Sequence, residues 1–517
     1  MKNRKIKKIL GILVATIVFI IFAVNTFIFP AAIRKQLRHA TIGTMKLKVD
    51  RIKTHFLTQS IGLSGVHFGD SAGDFSANID LIKLREIGIV NLILYKKIET
   101  DGLIFKDLVI RMRKGYEFPK SGLKASSATS PLKILIKELV VENGTFSLFD
   151  PSLKNDSLLS AHLDLDIKNI EFNPDTANFL YKNIGLDELE CLVSDVNFLT
   201  SDGNYRIKVG SVNFITQTAE LVANNLQVIP LRDRYELGKR AGVQSDWFDV
   251  QLQRLQLNSI DLKKLLADQE FYLRKIEVAG LKAEVFRDMR LPMPVKPDTK
   301  LIPDMVASIP IPVHSDSLYI HTADIRYTER AKNSTDAGHL DLIGTEIISK
   351  NFTNIDSLIK QPRVLDIKTK LLNASVLTAQ VTLSSKHFPH ADRMRGHLGT
   401  MPFAAANTMV EYGMSTRFTE GTVHRIDFDF TYNNDVSNGK LTMEYENLKL
   451  ELIDRNNQSN KKLQSGLVNG LVIRNHNLTG DKRFREGAIH FERDKKKSTY
   501  NFWWKSLFSG IKSTVAF

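Results

Sequence analysis

The amino-acid sequence predicts a mainly β protein whose strands form an antiparallel sheet with one apolar face. Three observations lead to this fold class. Apolar and polar residues alternate in many segments, as in Ile426–Tyr432 (IDFDFTY), and a period of two is typical of strands with one buried side. Turn residues such as Asn143-Gly144 separate alternating runs. Long helical patterns are few, and Tyr235–Gly242 is predicted as a short helix.

The N-terminus predicts a membrane anchor. Ile9–Ile33 contains no charged residue, and Ile9–Phe29 is long enough to cross the hydrocarbon core of a bilayer as a helix. A cleaved signal peptide is the alternative, but no small-x-small cleavage site stands before Pro30. Long soluble domains translocate largely regardless of charge, so we expect the basic head, residues 1–8, in the cytoplasm and the bulk of the chain on the other side of the membrane.

One stretch, Glu138–Asp150 (ELVVENGTFSLFD), predicts a small two-stranded unit. Asn-Gly is a preferred centre for a two-residue type I′ hairpin turn, because both central residues of that turn need a positive φ. If the chain folds back at Asn143-Gly144, the four apolar residues around the turn share one side of the ribbon and the polar residues take the other.

The same apolar spacing recurs in three further segments, centred on Asp107, Gly280 and Thr322. Apolar residues make up 43% of the chain, so this spacing also arises by chance, and the polar residues between the apolar positions strengthen the pattern. We interpret the segments as a loose repeat of two-stranded units. The candidates for the shared apolar face are Leu103, Phe105, Ile110, Met112, Leu139, Val141, Phe146, Leu148, Ile276, Val278, Val285, Leu318, Ile320, Ile325 and Tyr327.

A proline-rich segment divides the chain. Pro292–Pro312 holds six of the fifteen prolines, and proline cannot donate a hydrogen bond to a strand ladder. We therefore predict a crossing between an N-terminal β-rich region, residues 34–291, and a C-terminal β-rich region, residues 313–500. In the C-terminal region, Asn438-Gly439 between two alternating runs predicts another hairpin turn.

The chain ends in an aromatic and basic tail, residues 501–517 (NFWWKSLFSGIKSTVAF). At helical spacing, apolar residues from Trp504 to Val515 would share one side, as in helices that lie at a membrane interface. Trp503, Trp504 and Phe508 are therefore candidates for membrane contact. The alternative is a terminal helix or strand that packs on the sheet.

Motifs for chemistry are weak or absent. The net charge of +14 comes without a zinc-finger, RNP or helix-turn-helix pattern, so nucleic acid is not an expected partner. Cys191 is the only cysteine, which rules out an intramolecular disulfide and a thiolate metal cage. His387–His397 is the best metal candidate, but Pro389 within it favours a solvated loop. Arg287-Asp288 is predicted as a structural ion pair. No catalytic residue, metal or cofactor is predicted.

The predicted apolar face has two interpretations. In an ordinary sandwich or helix-covered sheet, residues such as Leu139 and Phe146 are simply core. Alternatively, the sheet curls along its length and its apolar face stays partly open as a groove for acyl chains. The strand pattern by itself favours the ordinary core, whereas the predicted anchor and the scarcity of covering helices favour the groove.

The order of several segments resembles the AsmA-like family of bacterial envelope proteins, particularly its Bacteroidota-type members. These segments are the basic head with its apolar anchor, VDRIKTHFLTQSIGLSGVHFGD, IEVAGLKAEVFRDMRLPMP before the proline-rich crossing, MPFAAANTMVEYGMSTRFTEGTVHRIDFDF and GKLTMEYENLKLELID. The resemblance covers nearly the whole chain. It implies an inner-membrane anchor, an elongated periplasmic β-sheet folded over like a taco shell, and kinship with bridge-like lipid-transfer proteins.

The sequence thus leads to an expectation about function. We expect a non-enzymatic, single-pass protein of the inner membrane whose periplasmic groove handles phospholipid acyl chains, in phospholipid transport or outer-membrane homeostasis. Its expected partners are the inner membrane, phospholipids and other envelope proteins. The alternative is a periplasmic scaffold or assembly factor for outer-membrane proteins, which would bind polypeptide through open sheet edges.

Overall fold

The fold is mainly β, with few helices, as the alternation predicts. The computed structural model of the protein describes residues 31, 41–42, 45–55, 58–87, 97–117, 133–152, 157–172, 184–185, 188–295, 297–386, 388–453, 460–461 and 473–515. The chain divides into two compact units. The N-terminal unit comprises Met1–Thr200 and Ile207–Val222, and the C-terminal unit comprises Ser201–Arg206 and Ala223–Phe517.

Most strands up to the division between the units have 10 to 12 residues, and the two longest have 17 and 16. They are β1 (Thr41–Ile42), β2 (Met45–His55), β3 (Ser60–Gly69), β4 (Phe75–Arg85), β5 (Lys97–Thr100), β6 (Gly102–Arg113), β7 (Lys133–Phe149), β8 (Ser157–Phe172), β9 (Ile184–Gly185), β10 (Glu188–Leu199), β11 (Tyr205–Ile215) and β12 (Glu220–Pro230). The division passes through β11 and β12.

Pairing in the N-terminal unit is antiparallel with one exception. The strands follow one another in the order β1, β2, β3, β4, β6, β7, β8 and β10, with β9 beside β8. The exception is β7, which runs parallel to both β5 and β6. Parallel neighbours need a crossover connection, so the chain returns to its starting end between β6 and β7.

Among the described residues, the C-terminal unit carries the remaining strands and five α-helices. The strands are β13 (Asp246–Asn258), β14 (Phe271–Asp288), β15 (Val313–Arg330), β16 (Gly338–Thr353), β17 (Arg363–Leu371), β18 (Ser375–Leu383), β19 (Asp392–Leu398), β20 (Met401–Pro402), β21 (Thr416–Tyr432), β22 (Val436–Ile453), β23 (Asn460–Lys461) and β24 (Gly487–Glu492). The helices are α1 (Arg234–Ala241), α2 (Leu262–Asp268), α3 (Ile302–Ala307), α4 (Asn407–Met414) and α5 (Thr499–Val515), and 3₁₀ turns cover Asp356–Leu358 and Phe403–Ala406.

The predicted helix at Tyr235–Gly242 is confirmed as α1 and shows why helices are short here. The Asp233 side chain accepts a hydrogen bond from the backbone N–H of Tyr235, which caps the first turn. Gly242 then ends the helix in the left-handed region, at φ 69°. The cap that starts the helix and the glycine that ends it lie within ten residues of each other, so the helix makes about two turns.

In the C-terminal unit, the proline-rich segment connects two parallel neighbours. Strands β13 to β19 pair in chain order, and β21, β22 and β24 continue the sheet. All of these pairs are antiparallel except β14 and β15, which run parallel in register from Phe271 opposite Val313 to Asp288 opposite Arg330. Residues 289–312, with α3, form the crossover that a parallel pair requires. Pro292–Pro312 therefore lies within one compact unit.

The predicted hairpin turns are wrong. Asn143-Gly144 lies inside the continuous strand β7, and the centres at Asp107, Gly280 and Thr322 likewise lie inside β6, β14 and β15. Each centre has a positive φ, of 56° at Asn143, 51° at Asp107, 68° at Gly280 and 49° at Thr322. One positive-φ residue that interrupts a ladder is a β-bulge, which bends the strand without reversing it. The predicted type I′ turn would need a second positive φ, and Gly144 has none. Strand β7 also continues through both residues.

Two further local predictions are corrected by the strand geometry. The turn before β22 is made by Asn433–Asp435, and Asn438-Gly439 lies within that strand opposite Thr431 and Phe430. Arg287 and Asp288 are neighbours on β14, so their side chains point to opposite faces and they do not pair with each other. Arg287 pairs with Asp246 at 2.5 Å, and Asp288 pairs with Arg290 at 2.6 Å.

The largest buried core lies at the end of the C-terminal unit. It is formed by one face of β18–β24, and Leu301 and Phe403 belong to the same core. Helix α5 covers β22 and β24, where its Phe502 and Trp503 are 2% and 7% exposed. Tyr432 lies between these two rings, with centroid distances of 5.9 and 6.1 Å in edge-on geometry. The C-terminal tail is therefore a helix packed on the sheet.

No helix of the described residues is long and apolar enough to cross a membrane. Residues 1–30 and 32–33, which contain the basic head and nearly all of the predicted anchor, lie outside the described residues. The anchor at Ile9–Ile33 therefore stays a prediction from the sequence.

Candidate functional site

The bulges explain why the apolar spacing looked like that of hairpins. In a strand, side chains alternate between the two faces of the sheet. A bulge adds one residue and shifts this alternation by one position, so two residues an odd number of positions apart point to the same face when the bulge lies between them. On β7, Val141 and Phe146 are separated by an odd number of positions with Asn143 between them. A bulge at Asn143 therefore places the same four residues on one side as the predicted two-residue turn would, and these are Leu139, Val141, Phe146 and Leu148.

The N-terminal apolar face consists of the candidates on β6 and β7 and their neighbours. Lys106 on β6 and Glu142 on β7, one position from Phe105 and Val141, point to the opposite side. The register of the two parallel strands brings all eight candidates together as cross-strand pairs. These pairs are Leu103 with Leu139, Phe105 with Val141, Ile110 with Phe146, and Met112 with Leu148.

This face continues over strands that the sequence analysis did not single out. One row of paired positions crosses seven strands, and paired residues in a ladder point to the same side. Its members are Ile52, Leu63, Ile82, Phe105, Val141, Leu165 and Cys191. The signal for β3 and β4 was present in the sequence as the same odd step, from Leu63 to Val66 and from Ile79 to Ile82.

The N-terminal apolar face is only half covered. Val141 is 6% exposed, but the other seven candidates on β6 and β7 remain half-buried. A small buried cluster of Met45, Phe75 and Ala77 closes one end, where the Tyr116 ring stacks on Phe75 at 5.6 Å. Neighbouring side chains in the sheet already bury part of the solvent-accessible area of each of these residues. A covering layer or a bound ligand would bury the rest.

The C-terminal apolar face carries the other candidates in the same arrangement. Parallel pairing of β14 and β15 sets Ile276 beside Leu318 and Val278 beside Ile320. Beyond the bulges, Ile325 pairs with Ala283, and Val285 pairs with Tyr327. All seven candidates are half-buried. One row of this face runs through Leu255, Val278, Ile320, Ile347 and Ile367.

The opposite face of the N-terminal sheet is mostly polar, with Val109 and Leu192 exposed on it, and bears cross-strand ion pairs. Lys106 pairs with Glu142 at 2.5 Å and Lys168 pairs with Glu188 at 2.6 Å. The hydrogen bond from Lys168 lowers the pKa of the Glu188 carboxyl below its usual value. These groups are well exposed, so they keep this face in water and contribute little to stability. The sheet therefore has one wet face and one apolar face.

Polar cavities on the C-terminal unit hold charges that are already paired. A cavity of about 360 Å³ is lined by Arg234, Glu284 and Arg326, among others. Arg234 lies 3.4 Å from Glu284, and Arg326 lies 2.7 Å from Asp341. A shallower hollow of about 540 Å³ lies on the polar side of β16–β19.

The histidine cluster does not form a metal site among the described residues. Asp392 and His397 lie at the two ends of β19 and point to opposite faces. Asp392 is 2% exposed and accepts a hydrogen bond from the Ser384 N–H at 2.7 Å, while His397 contacts Asp427 at 2.7 Å. His387 lies outside the described residues, and no group of metal ligands occurs in the described part of the chain.

The three candidates for membrane contact lie on different sides of α5. Trp503 belongs to the core described above. Trp504 is 42% exposed, and its ring stacks on Phe508 with a centroid distance of 5.8 Å. The exposed side of α5 is therefore marked by Trp504 and Phe508, together with Tyr500 at 68% exposure.

Comparisons with known proteins leave the chain without an assigned family. No family model matches it, and no curated protein sequence matches it.

Proposed function

We propose that the two apolar faces bind lipid acyl chains and that the protein is a non-enzymatic lipid-handling component of the cell envelope. The observation that carries this proposal is the row of apolar side chains that crosses seven strands of the N-terminal unit, five of them half-buried, and a similar row in the C-terminal unit. Acyl chains have no polar groups to satisfy, so a continuous apolar surface with a polar back is chemically suited to them.

A half-buried Leu, Ile or Phe still exposes tens of Å², and covering that area gains about 1 kcal/mol per side chain at 25 cal/mol per Å². An acyl chain that lies along a row such as Leu63, Ile82, Phe105 and Leu165 would collect several such contributions. The gain supports binding of a long chain rather than of a small apolar molecule.

Bulges in neighbouring strands support a curled face. Asp107 and Asn143 lie side by side, with a hydrogen bond between their side chains, and Gly280 and Thr322 take corresponding positions in β14 and β15. Because each bulge bends its own strand, aligned bulges bend adjacent strands together. A sheet bent in this way would partly enclose a ligand on its apolar side.

The cellular setting of the proposal rests on the sequence. The apolar run at Ile9–Ile33 would anchor the chain in the inner membrane, and the resemblance to AsmA-like proteins supports a periplasmic location and phospholipid as the ligand. Phospholipid transport or outer-membrane homeostasis is the corresponding role. A scaffold for outer-membrane proteins would instead carry bound polypeptide and no lipid.

A carboxylate placed on the apolar face tests the proposal. We expect Phe146→Asp and Ile325→Asp to fold and to carry less co-purified phospholipid than the unchanged protein, because the carboxylate reaches water when lipid is absent and obstructs an acyl chain. The matched control is Val109→Asp, since Val109 is 42% exposed on the opposite face. Thermal melts and lipid mass spectrometry on the same samples give both readouts.

Each outcome either supports or contradicts the proposed acyl-chain face. Folded protein with reduced lipid at Phe146 and Ile325, and with normal lipid at Val109, supports the acyl-chain face. Unfolding at both sites shows a closed core. Folded protein with unchanged lipid removes these residues from the binding site.

A further inference from the structure

The C-terminal apolar face does not end at β17 but continues beneath α5. The row that includes Val278, Ile320, Ile347 and Ile367 passes on to Ala379, Gly396, Phe428 and Leu441 through direct cross-strand pairs. Because paired positions point to one side, the half-buried residues and the core residues belong to a single face of a single sheet.

Burial rises along this row in one direction. Val278, Ile320, Ile347 and Ile367 are half-buried, whereas Ala379, Phe428 and Leu441 are 7%, 6% and 0% exposed. The side chains remain apolar throughout, so composition does not cause the change. Burial rises where α5 and the segment around Leu301 and Phe403 lie on the same face.

Helix α5 sits on the sheet at very short range. A Cβ added to Gly510 would lie 2.8 Å from Ile489 and 3.0 Å from Leu441, and a side chain at Gly487 would meet the backbone of Gly510. The hydroxyls of Ser506 on α5 and Ser437 on β22 are 2.7 Å apart, and both residues are fully buried. An acyl chain has no room between the helix and the sheet.

We propose that α5 is a fixed stop that closes the acyl-chain site at the β18–β24 end of the C-terminal unit. This inference rests on the proposed function and adds a limit to it. Acyl chains occupy the face from β13 to β17 and do not reach Leu441 on β22 while α5 is seated. Within this unit the site is therefore a blind one, which a lipid must enter and leave on the side away from α5.

The loop before α5 supports a fixed rather than a swinging helix. Thr299, in the crossover between β14 and β15, donates a hydrogen bond to the carbonyl of Lys495 at 3.1 Å, and Thr499 donates one to the carbonyl of Lys300 at 3.3 Å. Lys496 pairs with Asp298 at 2.9 Å. These contacts hold the N-terminal end of α5 to a second segment of the chain, independently of the core beneath it.

Photo-crosslinking shows how far along the C-terminal apolar face a bound acyl chain reaches. The full chain is loaded with a phosphatidylethanolamine that carries a diazirine in its acyl chain, and crosslinked peptides are identified by mass spectrometry. We expect crosslinks on β13–β17 and none on the peptides of β21 and β22 that contain Phe428 and Leu441. Crosslinks on those two peptides would overturn the fixed stop. Crosslinks nowhere on the chain would instead remove the proposed function itself, and the stop with it.

Two variants test whether the helix moves. In Ser437→Cys/Ser506→Cys, on a Cys191→Ser background, the short hydroxyl distance allows a disulfide that locks α5. We expect lipid content and crosslink map to be unchanged by the lock, and reduced loading would show that α5 must move. Gly510→Val should unseat the helix and extend the crosslinks to Phe428 and Leu441. A folded Gly510→Val protein with α5 open to protease and an unchanged map would contradict the stop, and if this variant does not fold, the locked protein decides.

Discussion

Two regions of one sheet face in the C-terminal unit carry the same kind of apolar side chains but differ in how deeply those side chains are buried. On β14–β16, Ile320 and Ile347 remain half-buried, while on β21 and β22 the paired Phe428 and Leu441 are 6% and 0% exposed. The strands in both regions alternate with a period of two. The difference lies in what covers them, since α5 lies over the second region and contacts Leu441 through Gly510. Strand pattern sets which residues share a face, and a segment remote in sequence decides whether that face becomes core.

The largest expected effect comes from a carboxylate at matched positions in the two regions. Leu441→Asp buries an unpaired charge among packed side chains. It should lower the free energy of unfolding by about 4 kcal/mol or more, which is enough to unfold the unit. Ile347→Asp lies on the same row at its open end, where the carboxylate reaches water, so we expect a loss of about 1 kcal/mol. Urea denaturation of both variants measures the difference. Equal losses at the two positions would abolish the distinction between open and covered regions.

A smaller effect is expected at the bulges, which the apolar faces of both units need to keep their apolar residues on one side. Asn143→Val places a β-branched residue at φ 56° and should cost about 1–2 kcal/mol. Asn143→Gly is the control, because glycine adopts positive φ freely and loses only an exposed side-chain hydrogen bond to Asp107. Thermal melts that show equal stability for the two variants would argue against a bulge at this position.

The smallest effect is a pH dependence that belongs to the covered region. Burial raises the pKa of the Asp392 carboxyl, so its charge destabilises the folded state at neutral pH and this penalty disappears as the pH falls through the folded pKa. The unchanged protein should therefore gain stability relative to Asp392→Asn on acidification from pH 7.

Asp429 supplies the opposite sign as a control. Its exposed pairing with Arg393 lowers the pKa of the Asp429 carboxyl, so the unchanged protein should lose stability relative to Asp429→Asn over the same change. Denaturation midpoints at pH 7 and pH 4 give both comparisons. The same sign of change for both variants would contradict the burial of Asp392.

The strands and their faces could be predicted because alternation is a local property. The segments around Asn143, Asp107, Gly280 and Thr322 do carry apolar residues that share one side. Bulge and turn could not be separated by the same pattern, since both shift the alternation by one position. The length of β7, 17 residues through the Asn143 site, depends on pairing with β6 and β8, which local spacing does not encode.

The seating of α5 could not be predicted from hydrophobic spacing. The spacing pointed to the side of Trp504 and Phe508, whereas the side in closest contact with the sheet includes Ser506, Gly510 and Thr514. Small residues lie there because the helix approaches Gly487 and Leu441 so closely that larger side chains do not fit. Only the partner surface shows that these weakly apolar positions belong to the core.

The central claim is that the apolar faces stay open to a lipid, and Cys191 tests it directly. This single cysteine lies half-buried on the N-terminal apolar face, paired with Leu165 in the row that includes Phe105 and Val141. The measurement is the rate at which a small neutral maleimide labels Cys191 in delipidated protein and again after loading with phospholipid. We expect labelling of the delipidated protein and strong protection once lipid is bound. A thiol that resists labelling without lipid, or that reacts equally fast with lipid bound, would contradict an open acyl-chain face.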